Sequence, residues 1–361
     1  MYSFEPSDEQ KMLINAVNRY ATSDLRKAAH DAEENKALPP RVISKGWELG
    51  VLQASIPEAY SGFGERSAVT GALAAEELAF GDLAGALAVG IPGLFALPIL
   101  LAGSEEQKKL YLPTIIEADW QPYTAALIEP SFDFDPNELK TTAKAEASHY
   151  VLTGGKTFVP FANQAQAMIV YARLEKGTKA FIVPMGAAGL KVGAEREKLM
   201  GLNAVPFFNV ALEGVKVPLA NLLPGDFAPI LDSSRVAVAA MAIGVAKAAF
   251  EYSRDYAKDR DVFGVKVAQK QAIAFMLAEM MTEIEAIRLL VWEAAWAIDN
   301  KKEDASLRAY LAVTGASDMA MMVTDRAVQI LGGHGYIREH PVELWMRNGR
   351  GFATFTGLAM L

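Results

Sequence analysis

The chain has 361 residues, no cysteine, 52% hydrophobic residues and a formal net charge of −8. That length suits two or three domains with large cores, and 22% charged with 9% aromatic residues excludes disorder. The missing cysteine excludes a disulfide scaffold, a cysteine zinc site and a cysteine nucleophile, and suits a cytoplasmic setting; no basic stripe for nucleic acid is visible.

The first residues, MYSFEPSDEQ, carry acids and lack a basic n-region and an apolar h-region, so no secretory signal is expected there. From residue 7 to about 120 the pattern is helical. Ser7 and Gln10 read as a capping box, with Leu13, Ile14, Val17 and Ala21 following at helical spacing. The run VLQASIPEAYSGFG, rich in Gly, Pro and Ser, reads as a loop. Residues 83–103 carry no charge and are long enough to span a bilayer. Pro92, Pro98 and the glycines predict a buried, broken helix pair there, and no membrane span. Ser104 and Gln107 form a second capping box at the head of EEQKKLYLPTII.

From about 122 to 220 the texture changes. TTAKAEASHYVLTGGKTFV alternates around a predicted Thr153-Gly154-Gly155 turn, and ARLEKGTKAFIVP repeats the design around Lys176-Gly177. AVPFFNVALEGVKVP is a third strand-rich run. Together they predict hairpins in an antiparallel β domain. After Leu231 the chain is helical again, over 236–260, 269–298 and 306–331. The apolar faces are wide and rich in Met (Met276, Met280, Met281, Met319, Met321, Met322), which reads as core packing. Such helices predict a bundle that also packs against another subunit.

The four histidines, His30, His149, His334 and His340, show no metal-ligand spacing. Gly-x-Ser-x-Gly, GxxxxGK[ST] and GxGxxG are all absent. Asp133, Asp135 and Asn137 match the first positions of a calcium loop, but Glu138 and Lys144 break it, which leaves an acidic surface loop. Two features are more specific. One is Arg260-x-x-Phe263-Gly264 with Gln271 at the junction of two predicted helices. The other is Gln329-Ile-Leu-Gly332-Gly333-His334-Gly-Tyr336 at the end of another. Arg and Gln can hydrogen-bond a pyrophosphate, and glycines let backbone amides approach it. Taken singly, each also reads as a helix end with a glycine cap.

Taken together and in this order, these motifs resemble the acyl-CoA dehydrogenase family over nearly the full chain. The resemblance extends to Ile128-Glu129-Pro130, the Tyr150-Val-Leu-Thr-Gly-Gly-Lys156 run, Val215-Lys-Val-Pro218, Arg235-Val-Ala-Val-Ala-Ala and His340-Pro-Val-Glu343. It implies an α+β multidomain fold: an N-terminal helical domain over 1–121, a middle antiparallel β domain over 122–222 and a C-terminal four-helix bundle over 223–361. It also implies a tetramer in which FAD lies extended between subunits. The flavin ring sits on the middle domain of one subunit, and a neighbour's C-terminal domain holds the pyrophosphate. The implied reaction takes an α-proton from an acyl-CoA and passes a β-hydride to the flavin. An electron-transfer flavoprotein is the implied acceptor. By the same pattern Arg260, Phe263, Gln271, Gln329, Gly332 and Gly333 contact the pyrophosphate of the adjacent subunit's FAD.

This sequence departs from the pattern elsewhere. Ile128 stands for the usual Thr and offers no hydroxyl. Ser131-Phe-Asp-Phe-Asp-Pro136 replaces a Gly-Ala-Gly-Ser-Asp-like run with aromatics and acids, which predicts a filled flavin niche. Phe158-Val159-Pro160 replaces Trp-Ile-Thr/Ser, and proline has neither hydroxyl nor N–H to offer. Gly201-Leu-Asn203-Ala-Val205 replaces Gly-x-Arg-x-Ser. The usual catalytic Glu falls on Thr356, and its alternative place, one residue before the helix Arg, falls on Ser234. A neutral hydroxyl is too weak a base to accept a carbon proton unaided. The family's final helical turn, which also touches FAD, would follow Leu361.

These losses fall on groups that would serve the chain's own flavin, while groups that would clamp a neighbour's cofactor remain. The expectation is a non-catalytic subunit of an α2β2 dehydrogenase, paired with a homologous subunit that carries the base. Its implied work is β-oxidation of a bulky CoA thioester, with lipid or steroid side-chain catabolism as the analogy. Two other readings stay open. One is a homotetrameric flavoenzyme with a relocated base, for which Glu129 and Glu343 are the nearest motif carboxylates. The other is an offshoot acting on CoA thioesters without redox chemistry.

Overall fold

The computed structural model describes residues 5–175 and 177–361. Residues 1–4 of the opening segment and Lys176 of the predicted Lys176-Gly177 turn lie outside the described residues. Eight helices come first: α1 (Asp8–Tyr20), α2 (Arg26–Asn35), α3 (Pro40–Trp47), α4 (Val51–Ala54), α5 (Ala68–Gly81), α6 (Leu83–Gly90), α7 (Gly93–Ala102) and α8 (Glu105–Ile116). Both predicted capping boxes are formed. Ser7 and Ser104 each accept the backbone N–H three residues on, and Gln10 and Gln107 reach back to the cap N–H. The run 51–64 is less open than expected, since α4 and a 3-10 turn over Glu58–Tyr60 give it structure.

α6 and α7 form the expected broken pair, bent by 53° at Pro92. Nearly every residue of the pair is buried, which accounts for the uncharged run. A second helix, Ala228–Asp259, is also long and apolar enough to cross a membrane by length and composition. Of its most apolar window 83% is buried within the protein.

The middle region holds β1 (Thr124–Ala126), β2 (Thr142–Ala145), β3 (His149–Pro160), β4 (Ala167–Leu174), β5 (Gly177–Pro184), β6 (Leu190–Val192) and β7 (Phe207–Pro218). The sheet is mixed and not wholly antiparallel: one edge of β4 pairs in parallel with β1 and β2, the other antiparallel with β5. Strand alternation divides its side chains between two cores. Met168, Val170 and Ala172 join a core confined to the sheet, whereas Ile169 and Tyr171 join the core shared with the helices.

The predicted Thr153-Gly154-Gly155 turn is instead the interior of one long strand, β3, and the chain reverses at residues 146–148. Gly154 has φ 153°, and a Cβ there would lie 2.6 Å from the Thr141 hydroxyl. This glycine therefore serves a close approach, next to a register shift against β7 between Leu152 and Thr153.

The C-terminal region comprises α9 (Ala228–Asp259), the short strands β8 (Asp261–Val262) and β9 (Val265–Lys266), α10 (Gln271–Asp299), α11 (Ala305–Leu331), α12 (Gly333–Tyr336) and α13 (Val342–Gly349). α9 begins eight residues earlier than the periodicity suggests, because Asp232, Ser233 and Ser234 interrupt the apolar pattern within its first turns. α9 packs on α5 and on α11, which joins the two helical regions. The methionine stripe is split. Met280 and Met319 are buried, but Met281 and Met321 are exposed beside Phe275, Leu289, Leu290, Tyr310 and Leu311. These exposed apolar residues all lie on α10 and α11.

Candidate cofactor clamp and cavity

Arg260 caps α9 and opens the hairpin formed by β8 and β9, where Asp261 pairs with Lys266 and Val262 with Val265. The two turn residues, Phe263 and Gly264, both have positive φ, 54° and 79°. That is the signature of a primed hairpin turn. A phenylalanine in this region is sterically costly, yet its ring is 94% exposed. Its ring meets the Lys270 ammonium, 5.7 Å from the ring centroid, and is otherwise open to a contact from outside the chain. Arg260 is exposed and forms no ion pair among the described residues, and Gln271 is exposed at the first turn of α10.

The second motif lies at the C-terminal end of α11. Gly332 ends the helix at φ 60° and ψ −132°, a conformation open to glycine, and Gln329, Gly332 and Gly333 are exposed. The two motifs share one end of the bundle. The Tyr256 hydroxyl hydrogen-bonds His334 Nδ1 at 2.6 Å, and Arg260 lies one turn beyond Tyr256. A parallel bond joins Tyr252 to His340 Nδ1 at 2.7 Å, and the two imidazoles stack with centroids 5.5 Å apart. Sequence reading missed this Tyr–His cluster, since its members are far apart along the chain and no spacing signals them.

A cavity of about 780 Å³ lies between the middle domain and α11. Ile128, Glu129, Pro130 and Phe158 form its β wall, Tyr310, Thr314 and Asp318 its helical wall, and Arg235 and Thr356 also line it. The space is open, contrary to the expected filled niche. Phe132 and Phe134 line it without filling it, Phe132 being highly exposed, and Phe158, at φ 51°, lies edge-on to Phe207.

Several side-chain hydroxyls around the cavity are engaged within the protein. The Thr157 hydroxyl and the Phe158 N–H both donate to Glu197, at 3.0 and 2.7 Å. Thr314, Ser317 and Thr354 donate to backbone carbonyls of Tyr310, Val313 and Gly351. Ser131 donates to Asp133. Ile128 and Pro160 have no hydroxyl to offer. The Ser234 hydroxyl is buried and accepts the Gly357 N–H at 2.7 Å.

Neither motif carboxylate is free for proton abstraction. Glu129 accepts from Lys156 Nζ at 2.9 Å, from the Lys140 N–H at 2.7 Å and from the Thr141 N–H at 2.8 Å. Burial opposes its charge, but Lys156 and Thr141 hold its carboxyl below the ordinary range. The same burial pulls the Lys156 ammonium down to about 8. Glu343 pairs with Arg347 at 2.8 Å and lies outside the cavity. Asp232, which the sequence did not single out, is pushed up by burial, but it accepts from Ser306 and is not in the cavity lining.

The FAD implied by the resemblance thus meets two unlike surfaces. The exposed Arg260, Gln271 and Gln329, with two glycines, suit a diphosphate presented by another chain. The cavity has room for a flat ring, but its side-chain hydroxyls are largely engaged within the protein.

Comparison with known proteins agrees along the whole chain. The acyl-CoA dehydrogenase N-terminal domain matches residues 7–119, the middle domain 124–215 and the C-terminal domain 228–359. The mitochondrial short-chain specific acyl-CoA dehydrogenase of Sus scrofa is 34% identical, over 96% of this chain and 86% of that protein. Subunit CarC of the caffeyl-CoA reductase-Etf complex of Acetobacterium woodii is also 34% identical, over 98% and 96%. The structure of butyryl-CoA dehydrogenase from Megasphaera elsdenii superposes with a TM-score of 0.88 at 32% identity, covering 99% of this chain and 96% of that one.

Proposed function

The chain belongs to the acyl-CoA dehydrogenase family, and we propose that within it the chain is the catalytically silent subunit of an FAD-dependent α2β2 enzyme. Its partner is a homologous subunit that carries the base and holds the flavin ring. The observation that carries this reading is a contrast between two sites in one chain. The clamp residues Arg260, Gln271 and Gln329 are exposed, whereas the two family positions for a base hold Thr356, in the cavity lining, and Ser234, buried outside it.

In the complex FAD supplies hydride acceptance. This chain's part is to bind and orient. Arg260 provides a fixed positive fork for a diphosphate, Gln271 and Gln329 add neutral donors, and Gly332 and Gly333 allow close backbone approach. Proton abstraction from the thioester α-carbon then falls to the partner, because a threonine hydroxyl is too weak a base for that proton. The proposed substrate class is a bulky CoA thioester undergoing β-oxidation, a steroid side chain being the working choice. The proposed electron acceptor is an electron-transfer flavoprotein, in keeping with the Etf complex to which the Acetobacterium relative belongs.

The visible spectrum tests the reading. Purified alone, the chain is expected to carry little or no FAD; coexpressed with its homologous partner it should yield about one FAD per αβ pair. A second reading is favoured by the open cavity of about 780 Å³, which leaves space for a ring on this chain itself. In that case the chain forms a self-sufficient homotetramer. It would then be isolated yellow, with one FAD per chain, and bleached by an acyl-CoA without any partner.

A further inference from the structure

Beyond Thr356 the chain turns away from the large cavity and inserts between the helical layers. Leu358, Ala359 and Leu361 are buried, although the sequence after Gly357 carries no helical or strand element. The segment is held from two sides. The Gly357 N–H donates to Ser234 Oγ at 2.7 Å, and Ser233 Oγ donates to the Leu361 carbonyl at 2.7 Å. Arg66, itself half-buried, donates from Nε to the same carbonyl at 3.0 Å and from Nη2 to Ser233 Oγ at 3.1 Å. Adjacent serines on α9 thus grip both ends of one short segment.

That segment divides two spaces. Thr356 lines the large cavity. Met360 and Leu361 line a second, apolar cavity among α3, α4, α5, α6, α7 and α9, whose other walls include Leu78, Val89, Leu97 and Met241. Small residues, Gly71, Ala75, Gly90 and Gly93, widen this slot, and Leu361 fills part of it: a Cβ on Gly71 would meet Leu361 Cβ at 2.7 Å. What remains is about 70 Å³. That is roughly the share of two or three waters and is too little for a hydrocarbon chain.

We propose that Met360 and Leu361, gripped by Ser233 and Arg66, close this apolar slot to acyl groups, so that this chain takes no thioester tail of its own. The inference rests on the reading of the chain as the silent subunit. It adds that the silence is steric as well as chemical: besides lacking a base, the chain denies the acyl group a place beside the ring cavity. Met360 and Leu361 are therefore specificity-determining residues. Ser233 and Arg66 position them.

The test counts thioester sites. Octanoyl-CoA, as a saturated probe, is titrated by equilibrium dialysis into the complex of this chain with its partner, and FAD is counted in the same samples. The wild-type complex is expected to bind one octanoyl-CoA per αβ pair, and M360A/L361A is expected to bind two. If the double variant is misfolded by circular dichroism, L361A alone serves, with a second site at least tenfold tighter than in wild type. Two octanoyl-CoA per wild-type pair would overturn the proposal. So would a folded variant that still binds one. The FAD count keeps the two ideas apart: one FAD per chain would sink the silent-subunit reading whatever the thioester count, whereas one per pair with two thioesters in wild type would sink only the plug.

Discussion

The Tyr256 hydroxyl and His334 Nδ1 lie 2.6 Å apart, and this bond connects two motifs separated by most of the C-terminal bundle. Tyr256 precedes Arg260 by one helical turn, and His334 directly follows Gly333. A neutral hydrogen bond of this kind contributes about 0.5–1.5 kcal/mol. Its larger effect is geometric, because it sets the distance between the arginine and the glycines of the clamp. Y256F is expected to lower the unfolding free energy of the chain by about 1 kcal/mol in urea and to speed FAD release from the complex. Unchanged release with the expected loss of stability would mean that the bond serves packing alone.

Arg260 offers the complementary experiment, since its bonds to Tyr256 and Val267 are made by the backbone and survive truncation of the side chain. It is exposed and forms no ion pair among the described residues, so R260A should leave stability within about 0.5 kcal/mol of wild type. A charge-assisted bond to a phosphate is worth about 1.5–3 kcal/mol, so the complex should hold FAD roughly ten- to a hundredfold more weakly. R260K should fall between, because an ammonium lacks the planar fork. FAD retention on gel filtration, read at 450 nm on an absorbance scale, about the usual flavin maximum, separates the three proteins. An R260A complex that retains FAD like wild type would remove Arg260 from the clamp.

The buried pair of Lys156 and Glu129 has a different task. The Lys156 side chain is sealed from solvent, with its ammonium 2.9 Å from Glu129 and 3.0 Å from the Leu127 carbonyl. It thereby fixes the 127–130 segment that forms the β wall of the cavity. K156M leaves Glu129 buried without its cation and should cost about 3–5 kcal/mol. E129Q/K156M removes both charges and should recover part of that loss, which a double-mutant cycle in guanidinium chloride would measure. Additive losses in the cycle would show that the two side chains do not act as a pair.

Much of this arrangement was legible in the sequence where the signal is local. Ser7 with Gln10 and Ser104 with Gln107 announce helix starts because a cap needs only neighbours three residues away. The clamp residues were legible as motifs. Their exposure was not, because it depends on which faces of α9, α10 and α11 the fold covers. Gly154 reads as a turn in the sequence because a glycine required by the close approach of Thr141 looks the same, letter by letter, as one required by a hairpin. The aromatics Phe132 and Phe134 are expected to fill the flavin niche on volume alone. Whether they do is decided by the backbone, which leaves Phe132 exposed and packs Phe134, half-buried, against the core shared with the helices. The second cavity and its closure by Leu361 join residues from six helices and have no signature along the chain.

Asp82 gives a prediction in pH. It caps α6 by accepting the Gly85 N–H at 2.7 Å, and it is almost wholly buried. Burial pushes its carboxyl up to about 6 from the ordinary 3.8; the Gly85 N–H pulls against this shift, and Glu33 adds to it. Between these values the folded chain keeps a proton that the unfolded chain has released. The stability contributed by neutral Asp82 is therefore full below 3.8 and declines as pH rises through about 6. With about two pKa units between the states, the decline has a ceiling of about 3 kcal/mol. Asparagine keeps the capping oxygen without the charge. D82N should accordingly match wild type near pH 4 and exceed it by about 1–3 kcal/mol at pH 7.5 in urea unfolding. Other titrating groups cancel in the difference between the two proteins. A difference that is flat across this range would mean that water or an unrecognised partner already stabilises the Asp82 charge.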